Sequence, residues 1–202
     1  MHIIFLIDKS SSMTNNIEET IKGYNTFIEN QQSLENTEEC IVSLYLFSTN
    51  IETIYEKRNL NNIIELDRNN YRPNGSTALL DSMGYILEKI NIFDKTIFVV
   101  ITDGQENSSK KYRRDRLRNL IDTKKNNVEI VYMGSNQDAI LAGSSIGSNI
   151  NINYDDIQTP NVYRGLSSAV TRLRIGQSPT VIFSQEEINS FRSPDVRHQN
   201  FN

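Results

Sequence analysis

Residues 2–12, which read His-Ile-Ile-Phe-Leu-Ile-Asp-Lys-Ser-Ser-Ser, join an apolar run directly to a polar loop. An apolar run of this length, rich in β-branched residues, is typical of a strand buried on both faces of a sheet. Asp8, Ser10 and Ser12 therefore follow the carboxyl end of a buried strand, the edge where open α/β sheets bind ligands. In an extended loop these three side chains point to one side. Three hard oxygen donors there suit a hard divalent cation such as Mg²⁺.

The same loop also suits the start of a helix. Ser and Asp are frequent N-cap residues, and apolar residues follow at helical spacing between Ile17 and Ile28. The pattern Asp-x-Ser-x-Ser occurs often by accident. The loop alone therefore leaves both interpretations open, and the rest of the chain has to decide between them.

Strand and helix patterns alternate along most of the chain. Two further buried strands are predicted at Thr96–Thr102 and Val128–Met133, and Ile41–Phe47 is followed by a short hairpin. Amphipathic patterns between them predict helices. This alternation predicts an α/β fold with helices on both faces, a doubly wound and mostly parallel six-stranded sheet with one antiparallel edge strand.

Two other segments place oxygen donors near the first loop. Thr77 follows a tight turn, and Asp103 ends the strand Thr96–Thr102. In a sheet of order 3-2-1-4-5-6, strands 1 and 4 flank the point where the winding reverses, so Asp8 and Asp103 should line one crevice. Thr77 also suits a helix cap, and Asp103-Gly104 suits a simple turn. Three such coincidences at one place favour a binding site.

With these residues in place, the chain closely resembles the von Willebrand factor type A domain. The metal-ion-dependent adhesion site (MIDAS) of that family is built from Asp-x-Ser-x-Ser, a downstream Thr and a later Asp. The stretches 101–107 and 134–139 resemble those of small stand-alone members from bacteria, phages and large viruses. We predict the domain over residues 1–176 and a polar, partly mobile C-terminal extension over 177–202. The five matching positions are Asp8, Ser10, Ser12, Thr77 and Asp103.

The resemblance implies how such a site works. Ser10, Ser12 and Thr77 would contact Mg²⁺ or Mn²⁺ through their hydroxyls, while Asp8 and Asp103 would act mainly through water or the second coordination shell. Neutral inner ligands leave the charge of the cation poorly compensated, which favours an anionic ligand from outside. We therefore expect a protein partner that presents Asp or Glu, and a non-enzymatic interaction module such as an adaptor.

A basic cluster follows Asp103 in the sequence. It is compatible with a solvated helix face, with long-range steering of an acidic partner, or with contact to RNA. We take Lys110, Lys111 and Arg114 as candidate partner-docking residues. The cluster consists of Lys110, Lys111, Arg113, Arg114, Arg116 and Arg118.

Composition narrows the class of protein. A chain of 202 residues, 37% hydrophobic and 23% charged, suits one globular α/β domain. The net charge of -4 argues against a dedicated nucleic-acid binder. A single cysteine excludes a disulfide framework and a cysteine-cluster zinc site. No apolar run has the length of a membrane span and no signal-type segment opens the chain, so we expect a cytoplasmic protein with no membrane partner.

Two enzymatic alternatives remain. Residues 143–147 fit the G-x-S-x-G pattern around Ser145, and Asp155 or Asp195 and then His198 follow in hydrolase order. The residues before Gly143 suit a helix, whereas a nucleophile elbow needs a buried strand there. The second alternative is a metal-dependent hydrolase in which the cation activates water. Its only nearby general-base candidate is Glu106.

Overall fold

One six-stranded sheet forms the centre of the molecule. The computed structural model describes residues 1–35, 37–91, 95–135 and 139–193. The strand order is β3-β2-β1-β4-β5-β6, and every neighbouring pair is parallel except β2 and β3. The predicted doubly wound, mostly parallel sheet with one antiparallel edge strand is confirmed. The strands are β1 His2–Asp8, β2 Ile41–Phe47, β3 Ile51–Asn59, β4 Thr96–Thr102, β5 Val128–Gly134 and β6 Ile150–Asn153.

Helices cover both faces of this sheet and create two apolar cores. Consecutive strand residues point to opposite faces, so Val99 belongs to the core under α1 and α5, and Val100 to the core under α2, α3 and α4. Within the described ranges, no helix has both the length and the apolar character that a membrane span requires. The helices are α1 Ile17–Gln32, α2 Leu79–Lys89, α3 Arg114–Asp122, α4 Ala139–Ile146, α5 Thr159–Arg174 and α6 Gln185–Ser190.

The described part of the C-terminal extension packs on the domain. Ser184 and Glu187 form a capping box at the start of α6, and Phe191 just after this helix is fully buried in the α1–α5 core. Arg172 of α5 donates two hydrogen bonds to Glu187, at 2.9 and 2.7 Å. The boundary at residue 176 stays a prediction. The mobility predicted for the last part of the chain concerns residues 194–202, which lie outside the described residues.

Candidate metal centre

Asp8 is held between the two central strands. It ends β1 and is fully buried. Its Oδ1 accepts a hydrogen bond from the Ser10 N–H (2.6 Å), and its Oδ2 accepts one from Thr102 Oγ1 at the end of β4 (2.6 Å). Burial raises the pKa of Asp8 to about 6, although these hydrogen bonds oppose the rise. The carboxylate therefore has a fixed position and an unfavourable charge that a nearby cation would stabilise.

The serine loop turns more tightly than its sequence predicted. Ser10 is extended, but residues 11–16 form a 3₁₀ helix, so the expected extended loop through Ser12 is wrong. The turn nevertheless brings Ser10 Oγ within 3.0 Å of Ser12 Oγ. Ser12 Oγ also donates to Asp103 Oδ1 at 2.6 Å. Ser10 makes no side-chain cap hydrogen bond to the helix that follows, which removes the main support for the capping interpretation.

Thr77 adds a third hydroxyl to the cluster, from the segment just before α2. It is buried, and the N-cap of α2 is Ala78 instead. Asn107 fixes the Thr77 backbone, since its Oδ1 accepts from the Thr77 N–H (2.9 Å) and its own N–H donates to the Thr77 carbonyl (3.1 Å). The side-chain hydroxyl of Thr77 lies beside Gly104.

Gly104 lies against three of these oxygen atoms. A Cβ built on this glycine would lie 2.9 Å from Thr77 Oγ1 and 3.4 Å from both Asp8 Oδ2 and Ser12 Oγ. The space among the three oxygens is therefore open only because residue 104 has no side chain.

The donor set fits a hard divalent cation. Burial raises the pKa of Asp103, and the nearby Asp156 carboxylate adds to the rise. Together with Asp8, this gives two carboxylates that are costly to ionise in a buried site without a cation. Three hydroxyls and two carboxylates are oxygen ligands of the kind that Mg²⁺ and Mn²⁺ accept. Among the described residues there is no group of three or more His, Cys, Asp or Glu side chains that could hold a metal.

The candidate docking residues occupy two different settings. Lys110 and Lys111 are exposed and precede α3, and their backbone N–H groups both donate to Asp81 at 2.8 Å. Arg114 begins α3 and lines a cavity next to Asp103. The basic cluster is therefore divided between a loop and a helix.

Glu106 has a structural role that the sequence did not reveal. Its carboxylate accepts hydrogen bonds from the Leu80 N–H at the start of α2 (2.8 Å) and from the N–H groups of Ser108 (3.0 Å) and Ser109 (2.7 Å). Ser109 Oγ donates to it as well, at 2.7 Å. These four hydrogen bonds hold the Glu106 carboxylate against its own loop and the start of α2.

Sequence reasoning also missed two direct partners of Asp8. Thr102 binds the side chain, and Tyr71 donates its hydroxyl hydrogen bond to the Asp8 carbonyl at 2.7 Å. The position of Thr102, directly before Asp103 at the end of a buried strand, was an available signal. Tyr71 lies in a long polar connection with no periodicity, so nothing local marked it.

Ser145 lies within a helix. It is part of α4, and its Oγ donates to the Ala142 carbonyl at 2.7 Å. The Asp155 carboxylate accepts a hydrogen bond from the Ser193 N–H. Asp195 and His198 lie outside the described residues. Because a nucleophile elbow is a strand-to-helix turn, Ser145 lacks the setting of a hydrolase nucleophile.

Comparison with known families identifies the class of protein. The sequence model of the von Willebrand factor type A domain matches residues 2–163, so the chain belongs to this family. Members are commonly metal-dependent protein-interaction modules. A search of curated proteins finds no match.

Solved structures agree on the fold. VWA2, the ArnB paralog of Sulfolobus acidocaldarius, is 24% identical with a TM-score of 0.56, over 82% of this chain and 44% of that one. Proximal thread matrix protein 1 of the mussel byssus, with a zinc-occupied MIDAS motif, is 16% identical with a TM-score of 0.58, over 81% and 46%. A von Willebrand factor type A protein of Catenulispora acidiphila is 14% identical with a TM-score of 0.55, over 83% and 42%. The chain thus spans less than half of each structure.

Proposed function

We propose that this chain is a divalent-metal-dependent interaction module that holds Mg²⁺ or Mn²⁺ and docks an Asp or Glu of a protein partner. The observation that carries the proposal is the cluster of hydroxyl and carboxylate oxygens around Gly104. A module of this kind suits an adaptor that links other proteins. A cytoplasmic location is part of the same proposal, and the buried, unpaired Cys40 is compatible with it.

Each residue of the cluster has a distinct task in this proposal. Ser10, Ser12 and Thr77 hold the cation through their hydroxyl oxygens. Since Ser12 donates its one hydrogen bond to Asp103, it accepts in its contact with Ser10 Oγ, which leaves one oxygen lone pair for the cation. Asp8 fixes the serine loop through the Ser10 N–H. When bound, the cation supplies an uncompensated positive charge that attracts a carboxylate.

The contacts of Glu106 favour this function over a metal-dependent hydrolase. A hydrolase needs a general base within reach of the reacting water. Glu106, the only candidate identified, is engaged by the start of α2 and by its own loop. We therefore propose a non-enzymatic protein. An RNA-contacting role for the basic cluster is the remaining alternative, and the net charge of -4 argues against it.

Thermal unfolding with and without cation tests the metal site. If a few millimolar Mg²⁺ is about 10–100 times the dissociation constant, the folded state gains roughly 1.4–2.7 kcal/mol. For a domain of this size the melting temperature should rise by about 3–10 °C relative to chelator. Ser12→Ala and Thr77→Ala should reduce this rise. Ser11→Ala, on an exposed neighbour in the same loop, should retain it. Equal melting temperatures with and without cation would contradict the proposed metal site.

Capture of partners with and without chelator tests the docking step. Partner binding should require Mg²⁺, and Asp8→Ala should abolish it as chelation does. Neutralising Lys110, Lys111 and Arg114 should mainly slow association and weaken its salt dependence, because these charges act at long range. A partner that binds equally well in chelator would show that docking does not use the metal.

A further inference from the structure

A cavity of about 370 Å³ opens beside the oxygen cluster. It lies between the carboxyl ends of β4 and β5, the start of α2 and one side of α4. Asp103 and Gly104 belong to its lining and also to the oxygen cluster. A segment whose carboxylate reaches the cluster from this side would pass the cavity mouth.

Aliphatic side chains from two helices line part of this cavity, beside polar residues of the oxygen cluster and its loop. Leu79 and Leu80 of α2 line one side, and Leu141 and Ile146 of α4 line the other. Leu141 is 69% exposed, which is costly for a large apolar side chain unless something covers it. The volume is at the lower end of the range for ligand pockets, so one large side chain suits it better than an extended ligand.

Charge at the cavity depends on the cation. Asp103, Glu106 and Arg114 line it, so two carboxylates face one guanidinium and the lining by itself does not attract an acidic segment. A divalent cation bound in the adjacent oxygen cluster would make this edge attractive to an acidic residue, and a neighbouring apolar side chain of the same segment would fill the cavity.

We propose that this cavity receives one large aliphatic side chain from the same partner segment that docks its carboxylate at the metal. The inference rests on the proposed function and names the class of partner. In an extended segment, side chains two positions apart point to the same side and are about 6.7 Å apart. The partner should therefore carry Leu, Ile or Met two positions before or after its acidic residue.

An array of synthetic seven-residue peptides tests this proposal with the full chain in Mg²⁺. The central residue is Asp, and Leu replaces Ala at one other position at a time in an otherwise Ala and Gly background. Leu two positions from Asp should strengthen binding by about tenfold, as expected for burial of most of one aliphatic side chain. Peptides with central Asn, and the same array in chelator, report whether the carboxylate and the metal are needed.

Two substitutions in α4 test whether the Leu preference arises in the cavity. Ser145→Phe places a ring in the cavity and should remove the Leu preference while leaving binding of the all-Ala Asp peptide within about twofold. Ser144→Phe, one position away and outside the cavity lining, should keep the preference. Circular dichroism checks the fold, and Leu141→Asn replaces Ser145→Phe if that variant is unfolded.

The possible results separate the two proposals. Binding that requires Asp and Mg²⁺ but shows no Leu preference, or a preference that survives both Ser145→Phe and Leu141→Asn, overturns the cavity proposal alone. Binding that requires neither Asp nor Mg²⁺ overturns the proposed function and this inference together.

Discussion

Because Gly104 has no side chain, it leaves space beside three oxygen atoms of the cluster. Substituting this single residue gives the sharpest test of where the cation binds. Gly104→Ala should place a methyl group 2.9 Å from Thr77 Oγ1 and close to Asp8 and Ser12. Contacts this short exclude a cation from the same space. We expect the melting temperature in chelator to change by only a few degrees and the increase with Mg²⁺ to disappear, as measured by thermal unfolding in both buffers.

Gly165→Ala is the matched control for this substitution. Its methyl group would lie 2.5 Å from the ring of Phe191 and not among the oxygen atoms of the cluster. This variant should lose stability in both buffers yet keep the increase with Mg²⁺. A Gly104→Ala protein that still responds to Mg²⁺ as the unsubstituted protein does would contradict the placement of the cation.

The five oxygen donors could be named from the sequence because each follows a recognisable strand or turn. Asp8 and Asp103 come directly after buried strands, so sheet topology alone brings them together. The hydrogen bonds from Tyr71 to Asp8 and from Leu80 to Glu106 could not be predicted, because the residues they join lie 63 and 26 positions apart in the chain. Contacts of that separation depend on the packed structure and leave no local pattern.

At the scale of the element, Phe191 anchors the C-terminal segment. It is fully buried against Phe183 and the α1–α5 core. Phe191→Ala should lower the free energy of unfolding by about 3–5 kcal/mol, the usual cost of removing a buried aromatic side chain. Urea denaturation measures the loss. A cost below about 1 kcal/mol would mean that residues 177–193 contribute little to the fold.

The ion pair between Arg172 and Glu187 makes the attachment of α6 depend on pH. Partial burial raises the pKa of Glu187, but the hydrogen bonds from Arg172 and Ser184 lower it by more, so the net shift is downward. A lowered pKa in the folded state stabilises the protein above the unfolded value of about 4.5, and this contribution is lost as the pH falls through the folded value. Glu187→Gln should therefore cost about 1.5–3 kcal/mol at pH 7.

Denaturation at several pH values checks this sign. The difference between the unsubstituted protein and Glu187→Gln should shrink as the pH falls below about 4.5. Glu186→Gln, on the exposed neighbour in α6, should cost less than about 0.5 kcal/mol. A difference between the unsubstituted protein and Glu187→Gln that stays constant from pH 7 to pH 3 would contradict the role of the ion pair.

Helices with a clear hydrophobic period could be predicted from the sequence. The packing of the C-terminal segment on the domain could not. Helices α1, α2 and α5 have apolar residues at helical spacing, and all three lie where amphipathic patterns between the strands predict helices. The buried apolar residues of the last segment, Val181, Phe183 and Phe191, all lie outside α6. Val181 and Phe183 alternate over only two positions and Phe191 follows eight residues later, so no sustained period marks the segment and only the folded structure shows that they enter one core.

At the scale of the whole molecule, the shared sheet should make the two cores unfold together. Val99 and Val100 are neighbours in β4 and fully buried in opposite cores. Val99→Ala and Val100→Ala should each cost about 2–3 kcal/mol. Both variants should show one transition, with the same denaturant slope, by far-UV circular dichroism and by tyrosine fluorescence. Two separate transitions in either variant would show that the cores are independent.

The overall architecture followed from the sequence because buried parallel strands need long apolar runs. Four such runs fixed the central strands, and the hairpin after Phe47 predicted the antiparallel edge. The irregular pairing between β2 and β3 had no local signal: the register shifts near Leu44, and Lys57 adopts a φ of 47°. Bulges of this kind depend on how two whole strands align.

The carboxylates of Asp81 and Glu106 hold the loop between them in place. This order affects both the rate of ligand binding and its entropic cost. Asp81 accepts from the N–H groups of Lys110, Lys111 and Tyr112, while Glu106 ties its own loop to the start of α2. Residues 106–112 are thus already ordered before any ligand arrives. Immobilising a flexible loop on binding costs about 1–2 kcal/mol per residue in backbone entropy, and this preorganised loop avoids most of that penalty. Association should therefore proceed as a single-step encounter, and amide hydrogen exchange of these N–H groups should be slow even in the free protein.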